Sequence, residues 1–228
     1  MKKRNVAKAV ASGFIALVLG GCDTPANHQS APSTKALPYF GNHEVAIIPS
    51  TDGTKETDTI YYTVPAFAFT NQYNTEISDA DYAGRIYVAD YFFTTCPTIC
   101  PVMSSQLSRL QSQLIESNLL GDVKLLSHTV DPENDTPEVL RAYAERLNAD
   151  SANWNFVTGS QDDLYYQAKF GYYLTALPSD TAAGGFFHSD TFVLVDRQGH
   201  IRGYYDGTST QEVDQLFNDI QHLISSSK

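Results

Sequence analysis

Basic side chains are scarce in this chain: 15 Lys and Arg stand against 26 Asp and Glu, for a net charge of −11. Phosphate recognition depends on clustered Lys and Arg, so a surface this acidic excludes nucleic-acid binding and attraction to anionic lipid. Long apolar runs are missing too; the stretch from Ala9 to Leu19 is too short for a dedicated membrane span. Cysteine is limited to three residues. A disulfide framework is not needed, because 228 residues with 42% hydrophobic content can bury a core of their own. There is no internal repeat.

What is present begins with an export signal. The first 21 residues carry four basic side chains (Lys2, Lys3, Arg4, Lys8) and no acidic one, and the apolar stretch leads into Leu19-Gly20-Gly21-Cys22. Basic head, short apolar core and small residues before a cleavage point are the parts of a signal peptide. Small residues directly before a cysteine resemble a bacterial lipobox; the alternative is an ordinary signal with a coincidental cysteine. The sequence therefore predicts a signal peptide over 1–21, cleavage before Cys22 and lipidation of Cys22. The mature protein would be a membrane-anchored lipoprotein on the extracytoplasmic (periplasmic) side, its net charge −15 once four positive charges are gone. Residues 22–37 read as the lipidated cysteine and a flexible tether, since 23 to about 35 are Pro, Ser, Thr, Ala and Asn with no apolar period. Residues 38–228 read as a single domain.

Two β-prone runs, Glu44–Ile48 and Thr59–Thr63, flank a turn-rich segment and predict an N-terminal hairpin; Ala66–Thr70 and Thr75–Ile77 predict a second. Ile86–Phe93 is almost continuously Ile, Tyr, Val and Phe, as in a central strand buried on both faces. A helix follows Cys100, with Met103, Leu107, Leu110 and Leu114 at helical spacing. Val123–Val130 is the next strand; Thr136 then caps a helix that Pro137 opens. Trp154–Val157 is a short strand, Ser160 with Asp163 caps a helix over Leu164–Phe170, and Gly171–Gly185 reads as a loop. Phe192–Val195 and Ile201–Tyr205 make a hairpin, and Ser209 with Glu212 caps the last helix. The class is α/β: a thioredoxin-type sheet with an N-terminal β-hairpin extension and an inserted hairpin or loop.

With Cys22 assigned to the anchor, Cys96 and Cys100 remain as an isolated pair in a compartment where disulfides persist. They lie at a strand-to-helix junction, in the field of a helix N-terminus that favours thiolate. A spacing of four places their Cβ atoms about 5 to 6 Å apart, loose for a disulfide and comfortable for two thiolates on one metal ion. Two thiolates leave a copper ion short of ligands. Among six histidines, His188 follows Gly184-Gly185-Phe186-Phe187 and directly precedes the strand that returns beside the cysteine loop, which makes it the third-ligand candidate for Cu(I), or for Cu(II) with a further donor. His128, at a strand end, is the reserve. Asp90 interrupts the central strand; it is read first as a structural acid near the strand end, hydrogen-bonded to backbone, and second as a proton acceptor for a nearby thiol.

Thr94-Thr95-Cys96-Pro97-Thr98-Ile99-Cys100-Pro101, the Val130–Pro137 block V-D-P-E-N-D-T-P and the Phe187–Asp196 block F-H-S-D-T-F-V-L-V-D together resemble the Sco/SenC family of copper-binding, thioredoxin-fold assembly proteins, over about Phe67 to Ile224. The resemblance implies Cys96, Cys100 and His188 as copper ligands and the copper-site subunit of cytochrome c oxidase as partner. Another copper chaperone or a thioredoxin-like reductant is a further possible partner. One departure is Phe187, where many members carry an acidic residue before the ligand histidine. Two functions stay open on these residues: a metallochaperone that passes copper by ligand exchange, and a thiol-disulfide oxidoreductase that reduces partner cysteines before metallation. A peroxidase of the peroxiredoxin kind ranks last, because Phe93 stands where a Thr three before the reactive Cys is needed.

Overall fold

The computed structural model describes residues 36–49 and 55–226. The export signal, Cys22 and most of the tether lie outside them. Three parallel strands make the centre of a seven-stranded sheet: β5 (Ile86–Phe92), β6 (Val123–Thr129) and β7 (Trp154–Thr158). All seven residues of β5 are buried, which explains its lack of polar alternation. On one side the sheet continues antiparallel with β10 (Thr191–Val195) and β11 (Ile201–Asp206), on the other with β3 (Ala68–Asn71) and β4 (Glu76–Ser78). A separate two-stranded ribbon, β1 (Glu44–Pro49) with β2 (Lys55–Ile60), is the N-terminal hairpin. This is the α/β, thioredoxin-like arrangement expected.

Alternate residues of β5 face opposite sides of the sheet. Asp90 and Phe92 face α1 (Cys100–Glu116) and α2 (Pro137–Arg146), where Phe92 meets Tyr143. Tyr87 and Tyr91 face the other way, into an aromatic layer with Tyr172 and His128. Helix α1 buries Met103, Leu107, Leu110 and Leu114 completely, each worth roughly 1.5–3 kcal/mol of transfer free energy. It is tied to α2 by Ser104–Tyr143 (2.7 Å) and to α4 (Thr210–Ser226) by the Arg109–Asp214 ion pair. Thr136 caps α2 as expected, accepting from Val139 N, and Ser160 caps α3 (Gln161–Tyr166). The capping box of α4 is half made: Ser209 Oγ accepts from Glu212 N, but the Glu212 carboxylate takes its hydrogen bond from Asp206 N. No helix among the described residues is long and apolar enough to cross a membrane.

Three expectations are corrected. The second strand of the N-terminal hairpin is Lys55–Ile60 rather than Thr59–Thr63, because Tyr61 and Tyr62 leave the ribbon: Tyr61 stacks on Tyr39 at 3.9 Å, and the Tyr62 hydroxyl donates to the backbone carbonyl of Gly171. The expected helix Leu164–Phe170 starts earlier and turns into a π-helix over Gln167–Gly171. The presumed loop Gly171–Gly185 contains a strand, β8 (Ala176–Pro178), paired antiparallel with β9 (Phe186–His188).

Where the chain enters the domain it is latched. Arg202 on β11 donates from Nη2 to Leu37 O (2.7 Å), from Nε to Pro38 O (2.9 Å) and from Nη1 to Asp196 Oδ2 (2.8 Å), with the Tyr39 ring 3.9 Å from its guanidinium. Such a forked donor on two carbonyls and a carboxylate fixes direction as well as place.

Candidate metal centre

The cysteine loop leaves the C-terminal end of β5 and enters α1 at Cys100. Its first bend is held from below by Asp135, which is fully buried. The Asp135 carboxylate accepts from Thr94 N (3.2 Å), from the Thr94 hydroxyl and from the Thr129 hydroxyl (2.5 Å). Asp135 is itself fixed by its N–H on Asp131 O (2.9 Å). The Asp131–Pro137 segment is thus more than the turn its sequence suggests: it clamps the residues that precede Cys96. The signal available in the sequence was a second acid, Asp135, beyond what the helix cap at Thr136 requires.

The other wall is the β8–β9 hairpin. Its connecting segment rests directly on the cysteine loop, where Gly184, at φ +80°, approaches so closely that a Cβ there would lie 2.7 Å from the Phe93 ring. Phe186 packs on Phe93 (5.3 Å between ring centroids), and Phe93 meets the His188 ring edge-on at 5.9 Å. These contacts bring His188 over the cysteines. The segment read as a loop before His188 is thus a hairpin that holds it there.

Cys96, Cys100 and His188 offer three ligand atoms that all lie within 4.8 Å of one another, and all three residues are buried. Cys100 Sγ is 3.1 Å from His188 Nε2. His188 Nδ1–H donates to Ser189 O at 3.0 Å, which fixes the tautomer and leaves the Nε2 lone pair facing the sulfurs. Burial, against the Ser189 hydrogen bond and the Asp190 charge, lowers the His188 pKa and keeps the ring neutral, the state a ligand needs. The thiols are unequal. Burial alone would raise Cys96, but hydrogen bonds from Cys100 and from the Thr98 backbone and hydroxyl outweigh it and bring the thiol below its usual range. Cys100 is pushed well up, by burial first and then by the bond it shares with Cys96. Neither is in a disulfide. The arrangement can bind a soft cation through two sulfurs and an imidazole, or open and close a disulfide.

Asp90 is buried beneath this site. It accepts from Ser127 Oγ at 2.5 Å, a side-chain partner rather than a backbone one, and burial pushes its carboxyl up to about 7. His128 is separate from the three: its Nδ1–H donates to Asp90 O, its ring stacks on Tyr91 at 4.7 Å, and burial lowers its pKa to about 4. The structure places it in the core, not in the ligand cluster. His43 and His200 belong to the aromatic group around Tyr61, and His222 is half-buried on α4. Cys22 and His28 lie outside the described residues.

The family model SCO1/SenC matches residues 55–225. The chain is 30% identical over 169 residues to the SCO1 protein homolog of Bacillus subtilis, covering 74% of this chain and 86% of that one. Among solved structures, BsSco, described as a member of the Sco family of cytochrome c oxidase assembly proteins with a disulfide switch, aligns with a TM-score of 0.63 at 32% identity over 70% of this chain and 92% of its own. Yeast Sco1 with copper bound shares the fold at a TM-score of 0.57 and 23% identity, over 70% of this chain and 88% of that one.

Proposed function

The chain belongs to the SCO1/SenC family, and from that membership and the site geometry we propose that it binds one copper ion through Cys96, Cys100 and His188 and delivers it to the dinuclear copper site of cytochrome c oxidase. The observation that carries this reading is the convergence of two sulfurs and an oriented imidazole lone pair within 4.8 Å. Two thiolates and one imidazole are a soft donor set that suits Cu(I), and Cu(II) would add an oxygen or nitrogen donor. Copper is cargo here. It leaves by exchange of one sulfur for a sulfur of the acceptor, and Cys96, the more acidic and less enclosed thiol, is the first to let go. We further propose that Cys22 is lipidated and holds the protein on the extracytoplasmic face of a membrane.

A second reading is favoured by the unequal thiols. A low-pKa Cys96 beside a protonated Cys100 is also the pair that attacks and then resolves a mixed disulfide, so the same site could reduce the acceptor's cysteines before copper arrives.

An anaerobic Cu(I) titration of the reduced protein against a competing chelator tests the proposal. One tight equivalent is expected, lost in Cys100→Ser and weakened in His188→Ala. Binding that ignores His188→Ala would sink the three-ligand site, and rapid turnover of a disulfide substrate indifferent to His188 would favour the reductase.

A further inference from the structure

Around the three ligands the surface changes character. Residues 93–105 and 171–189, which form the cysteine loop, the start of α1 and the β8–β9 hairpin, carry a single formal charge, Asp180, in a chain with 26 acidic and 15 basic residues. In place of charge the rim shows large apolar side chains: Phe187 is 53% exposed, Val102 45% and Leu177 43%. Leu177 and Phe187 are register partners across β8 and β9, so they stand side by side on one face of the hairpin. Phe187 also lines the groove that holds Cys96, Thr98, Ile99 and His188. No described residue buries these side chains fully, and Phe93 and Phe186 already join the hairpin to the cysteine loop.

The ligands lie below this rim, Cys100 and His188 almost fully enclosed, so whatever takes the cargo must press against it. We propose that Leu177, Phe187 and Val102 form the docking rim for the copper acceptor, and that the acceptor's own thiols lie in an uncharged, apolar surface that matches it. The proposal rests on the chaperone reading. A basic partner steered by the acidic body would meet this protein elsewhere, because the rim has almost no charge to offer. Once the two apolar rims meet and exclude water, the exchange is local: a Cu(I)–sulfur bond to Cys96 breaks as one to the acceptor's sulfur forms. The proton leaving the acceptor thiol passes to the released Cys96 thiolate, and no electron moves.

The test measures Cu(I) transfer from the loaded protein to the reduced, metal-free, soluble copper-site domain of a cytochrome c oxidase, beside transfer to a small soluble dithiol. Leu177→Glu with Val102→Glu is expected to slow transfer to the domain roughly tenfold, the effect of removing a small apolar hot spot. Cu(I) affinity and transfer to the dithiol should stay unchanged, since both side chains point away from the core. Transfer between the native pair should vary by less than about twofold between low and high salt. Equal rates for native and substituted proteins, or a rate that falls steeply with salt, overturn the docking rim alone. No transfer from the native protein to the domain overturns the chaperone reading and the rim with it.

Discussion

Replacing Asp90 by Asn should stabilise the protein in mild base, and less so in mild acid. Burial in β5 raises the Asp90 carboxyl from 3.8 to about 7, with the Ser127 hydroxyl opposing only in part. Between those values the folded protein holds a proton that the unfolded chain releases. The stability this group contributes is therefore complete below its unfolded pKa and is lost as pH rises through the folded one. From about pH 5 to about pH 8 the protein crosses roughly two units of that window, a loss on the order of 2–3 kcal/mol at about 1.4 kcal/mol per unit. Asparagine keeps an oxygen for the Ser127 hydrogen bond and has no charge to bury. Its stability relative to the parent should thus grow by that amount from the acid end to the alkaline end, and the difference should vanish only below about pH 4. Urea titrations of the reduced, metal-free proteins across this range would measure it. A difference that stays flat with pH would mean that Asp90 is ionised throughout, and would refute the burial argument. Because the Asp90 charge also helps hold the Cys100 thiol up, the same variant should let Cys100 ionise more readily.

Asp135→Ala would strand the buried Thr129 hydroxyl and the half-buried hydroxyl and N–H of Thr94, costing about 2–4 kcal/mol and lowering copper affinity as the cysteine loop loosens; a thermal melt beside the chelator titration would show both, and an unchanged melt would contradict the clamp. Gly184→Ala places a Cβ against Phe93 in a left-handed backbone conformation, for a cost of about 1–3 kcal/mol, and should release His188. Weaker copper binding with an intact sheet, seen by far-ultraviolet circular dichroism, is the expected result; binding as tight as the parent's would show that the hairpin does not position His188.

The sheet was legible where burial writes directly into composition. Ile86–Phe92 has no alternation because both faces are covered, and Met103, Leu107, Leu110 and Leu114 mark the one face of α1 that is. The three candidate ligands were also readable: the cysteines are close in sequence, and His188 stands just before a strand returning to them. What was missed depends on contacts remote in the chain. The β8–β9 pairing joins three-residue strands, one ending in Pro178, too short for any period to show. Asp135 looks like part of a helix entry, and only the fold shows that its carboxylate faces Thr94. The tautomer of His188 follows from a carbonyl one residue on, and no residue type announces that.

The Arg202 latch decides at which end of the domain the chain enters. Val195 pairs with Tyr87 at the start of β5, whereas the cysteine loop leaves its end, so the turn after β10, with Asp196 and the backbone captured at Leu37 and Pro38, lies at the opposite pole from Cys96. A chain held by a lipid at Cys22, as proposed, enters at that pole through fifteen residues that can span at most about 50 Å when fully extended. The domain would then be moored at the end away from its copper ligands. Such a mooring line sets how far from the bilayer the ligands can reach for an acceptor. Cutting Arg202 free would release Leu37 and Pro38 and lengthen the line.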